Sequence, residues 1–263
     1  MLIFIGLGLS GDGISLRGLR RTKEADEVYA ELYTSKIPGF DLEDFEQEIG
    51  KKVRLLGREE VEQNPEKILK SAKEKKVTFL VAGDPMIATT HVDLRLRADE
   101  AGAETEIVHG ASIQTAAPGL AGLQSYKFGR SATLPLPEKP SDTPYEVLEE
   151  NQESGLHTFL LLDIEAGEER YLRANEGIKY LLELEEKLDR NVFSKDKLVV
   201  VVAKAGTSET MVRADKAGDL LKEDFGEPPH SLIVPGSLHF MEAEALKVFG
   251  GASEEALEEY VED

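Results

Sequence analysis

At 263 residues the chain has room for one large domain or two modest ones of about 100 to 200 residues each, and 41% hydrophobic residues with a mean hydropathy of -0.30 rule out an intrinsically disordered chain. Lys and Arg total 31 against 51 Asp and Glu, leaving a net charge of -20, so nucleic acid and anionic membrane surfaces are poor partners. Cysteine is absent, which excludes disulfides, thiolate metal sites and a cysteine nucleophile.

The apolar start, Met1 to Gly6, is too short for a signal-peptide core, and no stretch approaches the roughly 18 apolar residues of a membrane span, so a cytoplasmic protein is expected. The excess carboxylates read as a solvated surface, with Glu254, Glu255, Glu258 and Glu259 on a polar helix face. Screening should relieve the self-repulsion of such a surface. The melting temperature is therefore expected to rise from low to molar KCl, and a flat salt dependence would contradict this.

Five short apolar runs read as strands covered on both faces: Leu2 to Ile5, Val77 to Ala82, Thr158 to Ile164, Leu198 to Ala203 and Ser231 to Val234. Helical patterns lie between them. Asn64 and Pro65 mark one helix start. Thr90 and Asp93 form a capping box before a helix that Gly102 ends, and Thr143, Pro144 and Glu146 repeat the device. A helix over Asn175 to Leu188 puts Ile178, Leu181, Leu182 and Leu188 on one face. Strands alternating with helices predict an α/β fold of two domains with predominantly parallel sheets, and ligands at the carboxyl ends of strands. The boundary is expected after a strand at Thr105 to His109, giving an N-terminal domain over 1–113 and a C-terminal domain over 114–263. The stretch Leu134 to Pro140 reads as a surface loop.

Several glycine-bearing segments leave the predicted strands. Gly6-Leu7-Gly8-Leu9-Ser10-Gly11 matches the dinucleotide pattern, with Glu31 twenty residues beyond Gly11, but helix-poor residues delay any helix to about Ser15, whereas that fingerprint opens a helix directly. Gly83-Asp84-Pro85 leaves Asp84 over the strand ends as a hydrogen-bond acceptor. His109-Gly110-Ala111-Ser112-Ile113, Ala205-Gly206-Thr207 and Pro235-Gly236-Ser237 are further exits, which together suggest a backbone-rich small-molecule pocket. The five histidines, His91, His109, His157, His230 and His239, have no metal-ligand spacing, so no metal is expected. A hydrolase elbow, G-x-S-x-G, is also missing.

Taken together, Phe4 to Leu9, Gly83-Asp84-Pro85 and His109 to Ile113 resemble the tetrapyrrole-methylase type of S-adenosylmethionine (SAM) methyltransferase. Within that type the resemblance extends end to end to the archaeal diphthine synthase family. It is carried by Ala30 to Ser35, Ala88 to His91, Tyr126 to Thr133, Gly155 to Thr158, Leu162 to Ile164, Glu223 to Gly226, Pro228 to His230 and Val234 to His239. The resemblance implies SAM bound in an interdomain cleft by Leu9, Asp84, Ile87, Ser112, Ile113, Leu162, Ala205 and His230, and usually a homodimer. It also implies a protein substrate, the 3-amino-3-carboxypropyl-modified histidine of translation elongation factor 2, whose amino group is trimethylated to diphthine.

Such a reaction needs neither metal nor covalent enzyme intermediate. Asp84, Asp163 and His230 are candidate proton acceptors, and Tyr33, Tyr126 or Phe128 is a candidate ring for the growing ammonium. Methylation of a tetrapyrrole, nicotinamide-linked oxidoreduction and non-catalytic SAM binding stay open as alternatives.

Overall fold

Continuous burial along the apolar runs, with side chains sent to both faces of one sheet, builds the first unit. The computed structural model describes residues 1–33, 35–165 and 170–260, and these divide into two compact units, the first Met1–Ile113 and the second from Gln114 onward. Unit one runs β1 (Leu2–Gly6), α1 (Leu16–Glu24), β2 (Glu27–Glu31), α2 (Leu42–Ile49), β3 (Val53–Leu55), α3 (Arg58–Glu62), α4 (Glu66–Glu74), β4 (Val77–Val81), α5 (His91–Glu100) and β5 (Thr105–Val108). Its five strands form a sheet in the order β3-β2-β4-β1-β5, with every pair parallel.

Period-two alternation sends successive side chains to opposite faces. Leu2, Phe4, Tyr29, Phe79 and Val81 pack against Val61, Ile68, Ala72, Leu94 and Ala98 of α3, α4 and α5. Ile3, Ile5, Val28, Ala30 and Leu80 pack on the other side against Phe45 and Ile49 of α2 and Leu19 of α1. This two-sided burial accounts for the unbroken apolar runs.

Unit two continues with α6 (Ile113–Ala121), β6 (Ala132–Leu134), α7 (Thr143–Glu153), β7 (Thr158–Leu162), β8 (Ile164–Glu165), β9 (Arg170–Tyr171), α8 (Ala174–Leu188), β10 (Leu198–Ala203), β11 (Met211–Lys216), α9 (Ala217–Leu220), β12 (His230–Val234), α10 (Phe240–Ala245) and α11 (Glu254–Leu257). Its main sheet has the order β11-β10-β12-β7-β6.

This second sheet is mixed, which corrects the expectation of predominantly parallel pairing there. β6 and β7 are parallel, whereas β12 runs antiparallel to both β7 and β10, and β11 antiparallel to β10. Continuous apolar runs report burial on two faces and carry no information on direction. The connection from β10 to β11, residues 204–210, is too short for a helical crossover and forces the hairpin.

Local expectations shift in five places. Thr90 makes no side-chain cap for α5, because its hydroxyl donates to Glu62 Oε1 at 3.3 Å. Thr143 lies inside α7, whose cap is Asp142, and Pro65 rather than Asn64 occupies the cap of α4. The run Thr158 to Ile164 is broken at Asp163, where β7 gives way to the separate ribbon β8–β9. Leu134 and Leu136 are core residues, so only the later part of the supposed surface loop, from Pro137 to Pro140, is exposed. Among the described residues no helix is long and apolar enough to cross a membrane.

Candidate functional site

In the first unit the glycine exits converge at the carboxyl ends of β1, β4 and β5. Register pairs Gly6 with Val81 and Ile5 with Val108, so the three strands end side by side. Beyond them the chain stays zipped: Gly8 N–H donates to Gly83 O at 3.1 Å and Gly83 N–H to Gly8 O at 2.9 Å. A Cβ on Gly6 would stand 2.4 Å from Gly83 O and 2.6 Å from Gly110 N, and one on Gly110 would stand 2.3 Å from Gly83 O. Only bare backbone lets the three exits approach this closely. β1 and β4 are neighbours whose next strands, β2 and β5, lie in opposite directions along the sheet. Right-handed crossovers then leave on opposite faces, which makes this a topological switch point, the position at which open α/β sheets generally take their ligands.

Asp84 sits at that edge, 8% exposed. Its Oδ1 accepts the Met86 N–H at 2.9 Å, and its Oδ2 lies 2.7 Å from His109 Nδ1. The same loop is fastened from behind by His91, whose Nδ1 donates to Pro85 O at 3.0 Å. Burial lowers the His91 pKa, with the Pro85 carbonyl and Glu62 working against it. Ser112 is buried, Leu9 and Ile113 are half-buried, and Ile87 is exposed.

Glu31 is fully buried at the end of β2, its carboxylate 3.8 Å from His91 Nε2. It therefore does not project from the edge as a ribose-binding acid would. The helix after the glycine run begins at Leu16, capped by Ser15, so these glycines do not open a helix and the dinucleotide fingerprint fails on both counts.

In the second unit Leu162 ends β7, Ala205 follows β10 and His230 begins β12, and the antiparallel register brings all three to one sheet edge, with His230 opposite Ala203 and Ser231 opposite Leu161. All three are buried. The His230 Nδ1 accepts the Ala174 N–H at 3.2 Å, which places the proton of the neutral ring on Nε2. That Nε2 makes no hydrogen bond among the described residues. Burial lowers the pKa of the ring, opposed in part by the carbonyls of Phe225 and Glu227. A buried donor without a partner is costly in a closed protein and fits a site that a polar ligand completes.

The other sequence candidates fare differently. Both Asp163 carboxylate oxygens accept backbone amides, Oδ1 from Ile164 at 2.9 Å and Oδ2 from Leu136 at 3.3 Å, so this side chain pins the end of β7. Tyr33 already faces a cation, the Arg58 guanidinium, 5.5 Å from its ring. Tyr126 is exposed, with its hydroxyl donating to Gln124 Oε1, and Phe128 packs edge-on to the His157 ring at 5.2 Å. Thr34 of the stretch Ala30 to Ser35 lies outside the described residues.

Sequence reasoning missed a buried network in the second unit. Glu242 Oε1 accepts the Gln124 N–H at 2.7 Å and pairs with His157 Nε2 at 3.0 Å. Its Oε2 accepts Lys127 Nζ and the His239 N–H, both at 2.9 Å. His157 Nδ1 in turn accepts the Gly236 N–H at 3.0 Å. Three of the stretches that carry the resemblance, around Lys127, His157 and Gly236, therefore meet on one carboxylate.

Comparison with known proteins places the fold. The family model for tetrapyrrole (corrin/porphyrin) methylases matches residues 1–221. A diphthine synthase of Methanothermobacter thermautotrophicus is 47% identical over 99% of this chain and 100% of its own length. One from Methanosarcina mazei is 48% identical over 98% of this chain and 99% of its own. Among solved structures, a crystal structure of a diphthine synthase superposes with a TM-score of 0.91 at 41% identity, covering 99% of both chains.

Proposed function

The chain belongs to the tetrapyrrole (corrin/porphyrin) methylase family, and from that premise we propose that it is a SAM-dependent N-methyltransferase of diphthamide biosynthesis. It methylates the amino group of the 3-amino-3-carboxypropyl-modified histidine of translation elongation factor 2, in the cytoplasm and as a homodimer, up to the trimethylated product diphthine. The observation that carries this reading is the full-length similarity to diphthine synthases.

We assign SAM to Leu9, Asp84, Ile87, Ser112 and Ile113 of the first unit and to Leu162, Ala205 and His230 of the second. When bound, SAM supplies a methyl group on a sulfonium for direct displacement by an amine. The chain's share of the work is orientation and desolvation, which in well-aligned reactions is worth about 7 to 11 kcal/mol. Rigid backbone at Gly6, Gly83 and Gly110 and the buried carboxylate of Asp84 suit that task, since neither has to reorganise as a ligand arrives. His230 Nε2 offers an N–H to a ligand acceptor. An amine of pKa near 10 must lose a proton before it attacks, at a cost of about 4 kcal/mol at pH 7.

The test is turnover. Purified protein with SAM and the modified factor is expected to release S-adenosylhomocysteine and to add 14-Da steps, about one methyl each, to the modified histidine peptide by mass spectrometry. Binding of SAM without release would support a non-catalytic module, and methylation of uroporphyrinogen instead of the factor would support the tetrapyrrole alternative.

A further inference from the structure

The exposed imidazole at the end of β5 has a use that the methyl-donor site leaves open. His109 is 71% exposed, yet its Nδ1 is fixed 2.7 Å from Oδ2 of Asp84, a carboxylate that is itself only 7% exposed. Because a carboxylate accepts, Nδ1 is the donor and the neutral ring carries its lone pair on Nε2, turned away from Asp84. Asp84 is held in turn by the Met86 amide on its other oxygen, so the orienting group is fixed before any substrate arrives. Glu106, three residues earlier on β5, is engaged by Arg17 and Arg21 of α1. The result is a base oriented by a third group, at the strand ends where the ligand edge lies.

We propose that His109 is the general base of the methyl transfer, with Asp84 as its orienting partner. The proposal rests on the methyltransferase reading above. Nε2 takes one proton from the substrate ammonium, giving a free amine and an imidazolium that Asp84 stabilises. The amine nitrogen then forms its bond to the methyl carbon as the carbon–sulfur bond breaks and its electron pair stays on sulfur. The exposed ring returns its proton to water, and the methylated ammonium can lose a further proton to the same nitrogen for the next round. The third transfer gives a quaternary nitrogen with no proton left, so the role ends there.

His109→Asn separates this role from a structural one. Its side-chain amide nitrogen occupies the place of Nδ1, keeps the bond to Asp84, and has no basic Nε2. The expected result is SAM affinity within about twofold of wild type by calorimetry and an unchanged melting temperature. The rate constant for methylation at pH 7 should fall by about 100-fold or more, the usual scale of general-base catalysis. That deficit should shrink as pH rises toward the amine pKa, where solvent supplies the deprotonated substrate. A variant with wild-type kcat, or one whose loss is confined to SAM affinity, overturns the proposal. A wild-type protein that transfers no methyl overturns the parent reading as well, whereas an active wild type matched by His109→Asn overturns this one alone.

Discussion

Replacing Gly6 with alanine is expected to abolish SAM binding and to destabilise the first unit. The added Cβ would lie 2.4 Å from Gly83 O, 2.6 Å from Gly110 N and 2.7 Å from Gly110 Cα. All three are backbone atoms of neighbouring strand exits, so no side-chain rotation relieves the clash. β1 must move away from β4 and β5 at the edge where the Gly8–Gly83 hydrogen bonds close the loops. Overpacking of this kind typically costs about 1 to 3 kcal/mol, and a displacement near 1 Å in a positioning site is worth about 100-fold in rate. Calorimetric titration with SAM and a thermal melt measure the two effects. Gly119→Ala is the control: nothing lies within 4 Å of its Cβ position and it sits in α6, so neither measurement should fall. SAM binding by Gly6→Ala at wild-type affinity would show that the glycine convergence plays no part in the site.

The contrast between these two glycines bears on what a sequence discloses. The strands β1, β4, β7, β10 and β12 are legible because each is buried on both faces, which leaves an uninterrupted apolar run. The edge strand β11, Met-Val-Arg-Ala-Asp-Lys, escapes notice because one side of it is not covered and its residues alternate with charge. Strand direction in the second sheet is equally silent in an apolar run. It is written in loop length, in the seven residues between β10 and β11, which the periodicity does not weigh.

The edge glycines could be found because each follows a strand and must do something a side chain forbids. Asp84 and His230 could be marked from their loops, but what holds them could not. The Met86 amide that fixes Asp84 is two residues away, whereas the Ala174 amide that fixes the His230 tautomer is 56 residues away. Glu242 lies 85 residues from His157 and 115 from Lys127, and in sequence it looks like one more surface glutamate in an acidic chain. The clue lay in the neighbouring signature stretches, whose glycines and histidine are ordered around an acceptor none of them contains.

That acceptor should govern stability in acid. Glu242 is 1% exposed, and its pKa is lowered to about 2. Burial pushes it upward, but the backbone amides of Gln124 and His239, the Lys127 ammonium and the His157 N–H together outweigh the desolvation. Lowering a carboxyl from 4.5 to about 2 links the charged form to about 3 kcal/mol of folding free energy. The unfolded chain binds the proton more readily than the folded one. The stabilisation is therefore complete above pH 4.5 and is lost as pH falls toward 2.

Removing the group has a similar cost by a different route. In Glu242→Ala, His157 and Lys127 lose their shared acceptor in a closed environment, and breaking a buried pair on one side costs about 3 to 5 kcal/mol. Two amides, of Gln124 and His239, lose their partner as well. Glu242→Gln keeps the shape and one acceptor oxygen, so it should fall between alanine and wild type at neutral pH. Because Gln cannot titrate, its stability should change less between pH 4.5 and 2.5 than that of the wild type. Urea melts of the three proteins across that range measure both quantities. Equal acid slopes for wild type and Glu242→Gln would place the titrating group elsewhere, and a neutral-pH loss below about 1 kcal/mol for alanine, the scale of an exposed pair, would mean the network is no more than surface ion pairing.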